Sequence, residues 1–373
     1  MSIRRAVLVL AMIAAMDVAG GRAQSVESTV GVVSADNDPA SMRILTDIAS
    51  ALDGESLRIL PTVGQGPEQT VADISNTLRG AAVGILPSDV LRHLQHEPRL
   101  AEAGRSLRYI ARLYDEEVHV LARQDIAGLA ALAGKRVNFG VRNGHDHITG
   151  TTLFDSLRIR VEPVFLDHSL ALVRLRQGEI AALVHVARKP ARLFFDLNWD
   201  DGVHFLPMPL TAELFRTYLP ARLDPADYPL LIRGGEAGRG VPISTVATPM
   251  VLAVYDWAPG TNRYRDLSRF TEALFQRTGA LQGAAQDPAW KSFNPATEVP
   301  GWRRFAPAET WLTGGATAGS GSAARPTARR EQESSRRRAQ PTETQDEALF
   351  RQFLRWQQLH PEERAQRPEP PNR

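Results

Sequence analysis

Leu107-Arg108-Tyr109-Ile110-Ala111-Arg112-Leu113 and Glu117-Val118-His119-Val120-Leu121-Ala122-Arg123 are two short β-prone runs separated by the acidic stretch Tyr114-Asp115-Glu116, which reads as a turn. Next come a small helix with apolar positions Ile126, Leu129 and Leu132, a Gly134-Lys135-Arg136 stop, and the strand Val137-Asn138-Phe139-Gly140-Val141. The polar loop Arg142-Asn143-Gly144-His145-Asp146-His147 leads into a helix predicted from Thr149, and Val164-Phe165-Leu166 closes the unit as a strand. A strand that opens into a glycine-containing loop and a helix N-terminus gathers unpaired backbone N–H groups, which suits an anion. This β–α–β connection is built for binding, and the rest of the chain is arranged around it.

Working outward, short apolar runs alternate with amphipathic helices from Val26 to about Leu312, the pattern of an α/β fold with a mostly parallel sheet. Thr29 to Val33 is a buried strand, Met42 to Leu52 a helix, and Leu57 to Leu60 a second strand. The loop Ser34-Ala35-Asp36-Asn37-Asp38-Pro39 follows the first strand, making Ser34, Asn37 and Asp38 candidate ligand contacts. After the second strand, Gly64 and Gly66 flank Gln65; they permit either close backbone approach to a ligand or an ordinary turn. Ser88 and Asp89 follow the third strand, where Asp89 would favour an amine on the ligand or cap the helix starting at Val90.

Beyond the central unit, Ser169 to Gln177 is a helix with Leu170 and Val173 inward, and Ala181 to Val186 is a strand that delivers His185, Arg188 and Lys189 to the same cleft. A guanidinium offers a carboxylate a planar two-donor fork, so Arg188 and, from the opposing loop, Arg142 are candidates. Each also reads as an ordinary solvated arginine. Asn143, His145, His147 and Thr149 complete the candidate set. His145-Asp146-His147 invites a metal reading, but a site needs further ligands, and the sequence offers His168 or His185. The preferred reading has no metal: Asp146 caps the helix, and the two histidines are exposed or face the ligand, making affinity pH-dependent between about 5 and 8.

No nucleophile elbow, phosphate loop, zinc-protease motif or dinucleotide fingerprint is present, so neither enzymatic activity nor a cofactor is expected. The glycine-rich run Gly234 to Gly240 lacks the following helix of a phosphate cradle and reads as a mobile loop. Val246 to Tyr255 is a returning strand, and Tyr264 to Phe275 an amphipathic helix.

The order of these elements resembles the TAXI-type solute-binding proteins of TRAP transporters, of the wider type 2, NMT1-like class. The resemblance rests on Val118 to Arg123, Leu129-Ala130-Ala131-Leu132-Ala133-Gly134-Lys135-Arg136-Val137-Asn138-Phe139-Gly140, Ala81 to Val90, Leu175 to Leu183 and Ser244 to Leu252. It implies a two-lobed periplasmic-binding-protein fold, with lobe 1 formed from 26–117 and 245–312 and lobe 2 from 118–244, closing by a hinge over a small solute. It also implies delivery of that solute to a membrane permease. The loop at Ser34 lacks the glycine-rich ligand motif of the family, so the family's substrate does not carry over with it.

The chain of 373 residues opens with Arg4-Arg5, an apolar run from Ala6 to Met16 and a small-residue stretch ending at Ala23. That is the form of a cleavable signal peptide over 1–23, and it places the mature protein in the periplasm. With no cysteine, disulfides and thiolate chemistry are excluded. Removing the signal takes the net charge from +2 to 0, which argues against a nucleic-acid partner. The segment 313–343, rich in Gly, Ser and Arg, reads as a linker, 344–360 as an amphipathic helix and 361–373 as a tail. The expected function is capture of a carboxylate-bearing solute, an organic acid or amino acid, for a TRAP-type permease. The alternative is a diverged binding protein acting in sensing or scaffolding through this tail.

Overall fold

The computed structural model describes residues 28–35, 39–54, 57–76, 78–94, 100–233 and 240–318. The signal segment 1–23, Asn37 and Asp38, the glycine-rich residues 234–239 and the tail segments from 319 on lie outside the described residues.

Among the described residues, ten strands form one curled sheet: β1 (Ser28–Ser34), β2 (Leu57–Val63), β3 (Ala81–Pro87), β4 (Leu107–Arg123), β5 (Arg136–Asn138), β6 (Glu162–Val164), β7 (Ala182–Ala187), β8 (Val203–Phe205), β9 (Leu219–Leu223) and β10 (Ile243–Tyr255). The order is β2-β1-β3-β10-β4-β7-β5-β6, with β8 beside β4 and β9 beside β10. Each end carries a parallel three-strand unit, β2-β1-β3 and β6-β5-β7. Between them β4 and β10 run antiparallel to one another and to their neighbours.

Side chains alternate across each unit, and the alternation sorts the interior into cores on opposite faces. Val30, Val32 and Ile85 pack with Ile44, Leu45, Ile48, Phe270 and Trp290, whereas Val33 and Leu86 pack on the other face with Val71, Ile74, Val90 and Trp302. Helix α1 (Pro39–Leu52) buries Ile44, Leu45, Ile48 and Leu52, one stripe at helical spacing. Each such side chain contributes about 1.5–3 kcal/mol on burial. The same division recurs farther along: Val120, Ala122 and Val184 face one cluster, Leu121 and Leu183 the other. The first pair of clusters draws on residues up to Tyr114 and from Met250 onward, with Ile148 added; the second pair draws on Val118 to Val246. Among the strands, β4 and β10 supply both, and helix α5 (His145–Ser156) adds Ile148 to the first pair and Leu153 and Phe154 to the second.

Several expectations need correction. The turn read at Tyr114-Asp115-Glu116 does not exist: β4 is one strand of 17 residues. No glycine or proline interrupts it, Tyr114 and Glu116 are buried, Asp115 is held by the Arg112 side chain, and β10 pairs across the whole stretch. Register shifts at Ile110 and Leu113 bend the strand instead. The central helix, α5 (His145–Ser156), starts four residues before Thr149 because Gly144 occupies its N-cap position. In α6 (His168–Arg176), capped by Asp167, the inward residues are Ala171 and Leu175; Leu170 and Val173 stand 43% and 47% exposed. The remaining helices are α2 (Pro67–Asn76), α3 (Val90–Leu94), α4 (Ala101–Arg105), α7 (Ala212–Phe215), α8 (Asn262–Gln276), α9 (Thr278–Leu281) and α10 (Ala306–Ala318). Helix α10 continues past 313, where a linker was expected, since Trp311 and Leu312 still pack on the core. None of the helices in the described residues is long and apolar enough to cross a membrane.

Candidate ligand site between the lobes

The C-terminal ends of β1, β2 and β3 face those of β5 and β7, and the loops there touch. Gly66, at φ +106°, lies so close to the opposing loop that a Cβ would stand 2.2 Å from the Asn143 carbonyl oxygen. Asn143 is itself left-handed at φ 60°, and its N–H donates to His147 Nδ1. The glycine amides expected to hold a ligand are used internally: Gly64 N–H donates to the Ser34 carbonyl and Gly66 N–H to that of Ala35.

At one end of this seam Asp89 is fully buried. Its carboxylate does not cap α3; Oδ2 accepts from the Tyr218 hydroxyl at 3.0 Å, while Oδ1 is shielded and has no hydrogen-bond partner. The same hydroxyl lies 3.4 Å from the Thr149 carbonyl oxygen on α5, and Thr149 Oγ1 is likewise buried and unbonded. Burial and the Asp89 charge push the Tyr218 hydroxyl well above its usual range, so it stays a donor. Beside it Ser88 Oγ approaches Thr248 Oγ1 at 3.5 Å, and Arg92 bridges to Glu213 on α7 at 3.0 Å.

In the middle, Glu116 and His145 pair at 3.1 Å, both almost entirely buried. At the far end Arg188 gives both guanidinium nitrogens to Asp287, at 2.5 and 2.9 Å, with Arg43 on the same carboxylate at 2.9 Å. Arg188 also sits 5.1 Å over the Tyr114 ring, whose hydroxyl is 2.9 Å from Ser41 Oγ. These cations, with backbone N–H donation from Ala289, hold the Asp287 carboxyl far below the usual range against the opposing effect of burial.

The sequence candidates are thus placed differently, Arg188 being held by Asp287 at the far end. Ser34, Gly64, Ser88, Asp89, Asn143, His145 and Thr149 are gathered at the seam. Arg142 stacks 4.0 Å over Phe165, with the His147 ring edge-on to the same side chain, so both are engaged by that aromatic. His185 turns away toward Asp146. Asp146 is not a helix cap: Oδ1 accepts from Val186 N–H at 2.6 Å, and Oδ2 lies 2.5 Å from His168 Nε2 and 3.5 Å from His185 Nδ1. Burial alone would raise its pKa, but the two imidazoles hold it well below the carboxylate range. Gln65 is exposed. Sequence reasoning missed Tyr218, Glu116 and Asp287 because each partner lies far away in the chain.

A hollow of about 490 Å³ opens beside Arg188, lined by Arg112, Tyr114, Glu117, Lys189 and Pro288 among others. Another, of about 400 Å³, lies away from the seam, between Leu94, Arg105, Arg108 and Arg303. In the first, burial pushes the Glu117 carboxyl up to about 7, opposed by the Lys189 N–H that donates to it and by the Lys189 charge. The folded state therefore holds an extra proton between the ordinary value near 4.5 and about 7. The stability this gives is complete below about 4.5 and is lost as pH rises through 7. We expect about 2–3 kcal/mol less stability from this group at pH 8 than at pH 4.5, and Glu117→Gln to remove that part of the slope in urea unfolding.

Among family models, the one described as the NMT1-like family matches residues 44–287. The chain belongs to the NMT1-like family. No curated protein sequence matches this NMT1-like chain. Similar solved structures include the GluR0 ligand-binding core of Nostoc punctiforme with L-glutamate, at 14% identity and TM-score 0.42, covering 70% of this chain and 96% of that one. An amino acid ABC transporter substrate-binding protein of Streptococcus pneumoniae bound to L-arginine is 12% identical, TM-score 0.39, with 71% and 95% covered. A periplasmic binding protein of Brucella ovis with glutathione bound is 12% identical, TM-score 0.38, with 69% of each chain covered. The strand order of this NMT1-like protein, with two strands passing between the lobes, is the type 2 binding-protein arrangement.

Proposed function

We propose that this is an extracytoplasmic solute-binding protein that takes a small solute between its lobes and delivers it to a TRAP-type permease. The observation that carries the reading is the seam itself. Polar side chains from both lobes meet there in burial, and Asp89 Oδ1 and Thr149 Oγ1 lack partners, an arrangement costly in a purely structural interface and useful for a ligand. Delivery to a TRAP permease follows from the resemblance in element order, and periplasmic location from the form of the first 23 residues. The solute carries a carboxylate, which takes the Arg188 fork in exchange for Asp287, and a donor such as an ammonium for Asp89. β4 and β10 serve as the hinge.

The test is thermal unfolding of ligand-free mature protein against organic acids, amino acids and sugars. A ligand at about 100 times its Kd adds about 2.7 kcal/mol, a rise of several degrees. That rise is expected for a carboxylate-bearing compound and is expected to vanish in Arg188→Lys, which keeps the charge without the fork. No rise with any of these compounds would refute solute binding, and an undiminished rise in Arg188→Lys would refute the carboxylate assignment.

A further inference from the structure

Three ligand-type atoms converge behind the seam, in a place that solute binding does not use. Asp146 Oδ2, His168 Nε2 and His185 Nδ1 all lie within 4.8 Å of one another, contributed by the first turn of α5, the start of α6 and the middle of β7. Their side chains are each about one-fifth exposed, so the cluster is sheltered yet reachable from solvent.

Two features distinguish it from an ordinary ion pair. The first is that His185 Nδ1 is shielded from solvent and makes no hydrogen bond, although it lies 3.5 Å from Asp146 Oδ2; one nitrogen is left over after His168 has bonded. The second is the space in front of the atoms. Gly140 sits there at φ +66°, and a Cβ on it would fall 3.0 Å from Asp146 Oδ2 and 3.4 Å from His168 Nε2. The side chain that would fill the approach is missing. The other carboxylate oxygen is fixed by Val186 N–H, which aims Oδ2 at the two rings.

We propose that Asp146, His168 and His185 form a binding site for one divalent transition-metal cation of the zinc type. Two imidazoles and a carboxylate are ligands that zinc accepts in tetrahedral geometry, with water in the fourth place. Metal–ligand bonds of about 2.0–2.1 Å put tetrahedral ligand atoms about 3.3 Å apart. The His185 to Asp146 separation already matches that edge, and the His168 ring needs to withdraw by about 1 Å, releasing the proton it shares with Asp146. Bound metal would tie α5 and α6 to β7 and so fix the loop that faces the solute. The site does not depend on the solute reading, since its ligands all lie in one lobe.

The experiment uses tag-free mature protein stripped with chelator, titrated with Co²⁺ while visible absorption is followed and then with Zn²⁺ in competition. One Co²⁺ per chain with tetrahedral absorption bands, displaced by one Zn²⁺, is the expected result. His168→Gln and His185→Gln should each weaken binding by about tenfold or more, and His204→Gln, on β8 of the same lobe, should leave it unchanged. Circular dichroism in chelator checks that the variants fold; His168→Gln lies at a helix start and tests the site even where His185→Gln disturbs β7. No binding, or binding unaffected by His168→Gln, or equal loss in His204→Gln, would overturn the proposal.

Discussion

Gly66→Ala is expected to hold the lobes apart. The residue sits at φ +106°, a conformation that costs an L side chain roughly 1–3 kcal/mol. The new methyl would also point at the Asn143 carbonyl 2.2 Å away. That oxygen is backbone, and Asn143 is already left-handed, so the opposing loop has no rotamer with which to give way. The collision is relieved by separating the loops. Small-angle scattering should show a larger radius of gyration than in the parent protein, and ligand affinity should fall about tenfold or more because closure is lost. Gly64→Ala is the control: its methyl would meet Thr70 Oγ1 and the Ser34 carbonyl, atoms of its own lobe, so it destabilises that lobe without widening the molecule. An unchanged radius in Gly66→Ala would show that the seam does not set the distance between lobes.

Tyr218→Phe should cost about 2–3 kcal/mol in urea unfolding. The hydroxyl is the one side-chain hydrogen-bond donor that Asp89 has among the described residues, and both groups are fully buried. Removing it leaves a desolvated carboxylate with neither oxygen bonded, and losing a hydrogen bond to a charged group is costlier than losing a neutral one. Asp89→Asn in the same background should recover part of the loss, because an amide without charge is cheaper to bury. If Tyr218→Phe unfolds at the parent midpoint, the hydrogen bond to Asp89 adds nothing to stability and the seam is open to water.

Local patterns were readable where one element explains itself. The stripe Ile44, Leu45, Ile48, Leu52 and the apolar runs of β1 and β3 announce a helix and two buried strands without reference to anything distant. From sequence β4 reads as two strands because Asp115 and Glu116 look like turn residues, whereas burial of Glu116 depends on His145 and continuity of the strand depends on β10. The inward face of α6 is not the one its larger apolar residues suggest, because Ala171, small enough to lie against the sheet, is buried while Leu170 and Val173 are exposed. At the site, Arg188 could be placed at a strand end from sequence, but its partner Asp287 lies 99 residues on. Asp146 was visible between two histidines, yet the ones it meets are His168 and His185, brought in by α6 and β7. Chemistry within a loop is legible; chemistry assembled by topology is not.

The place of β10 has a consequence for how the protein comes into being. Among the described residues it is the last strand in sequence, and in space it lies between β3 and β4, at the centre of the sheet. A growing chain therefore leaves the facing edges of β3 and of the first part of β4 without their native partner until Tyr255 has been made. The same delay keeps the two halves of the sheet from being joined until 255 of the 373 residues have been made.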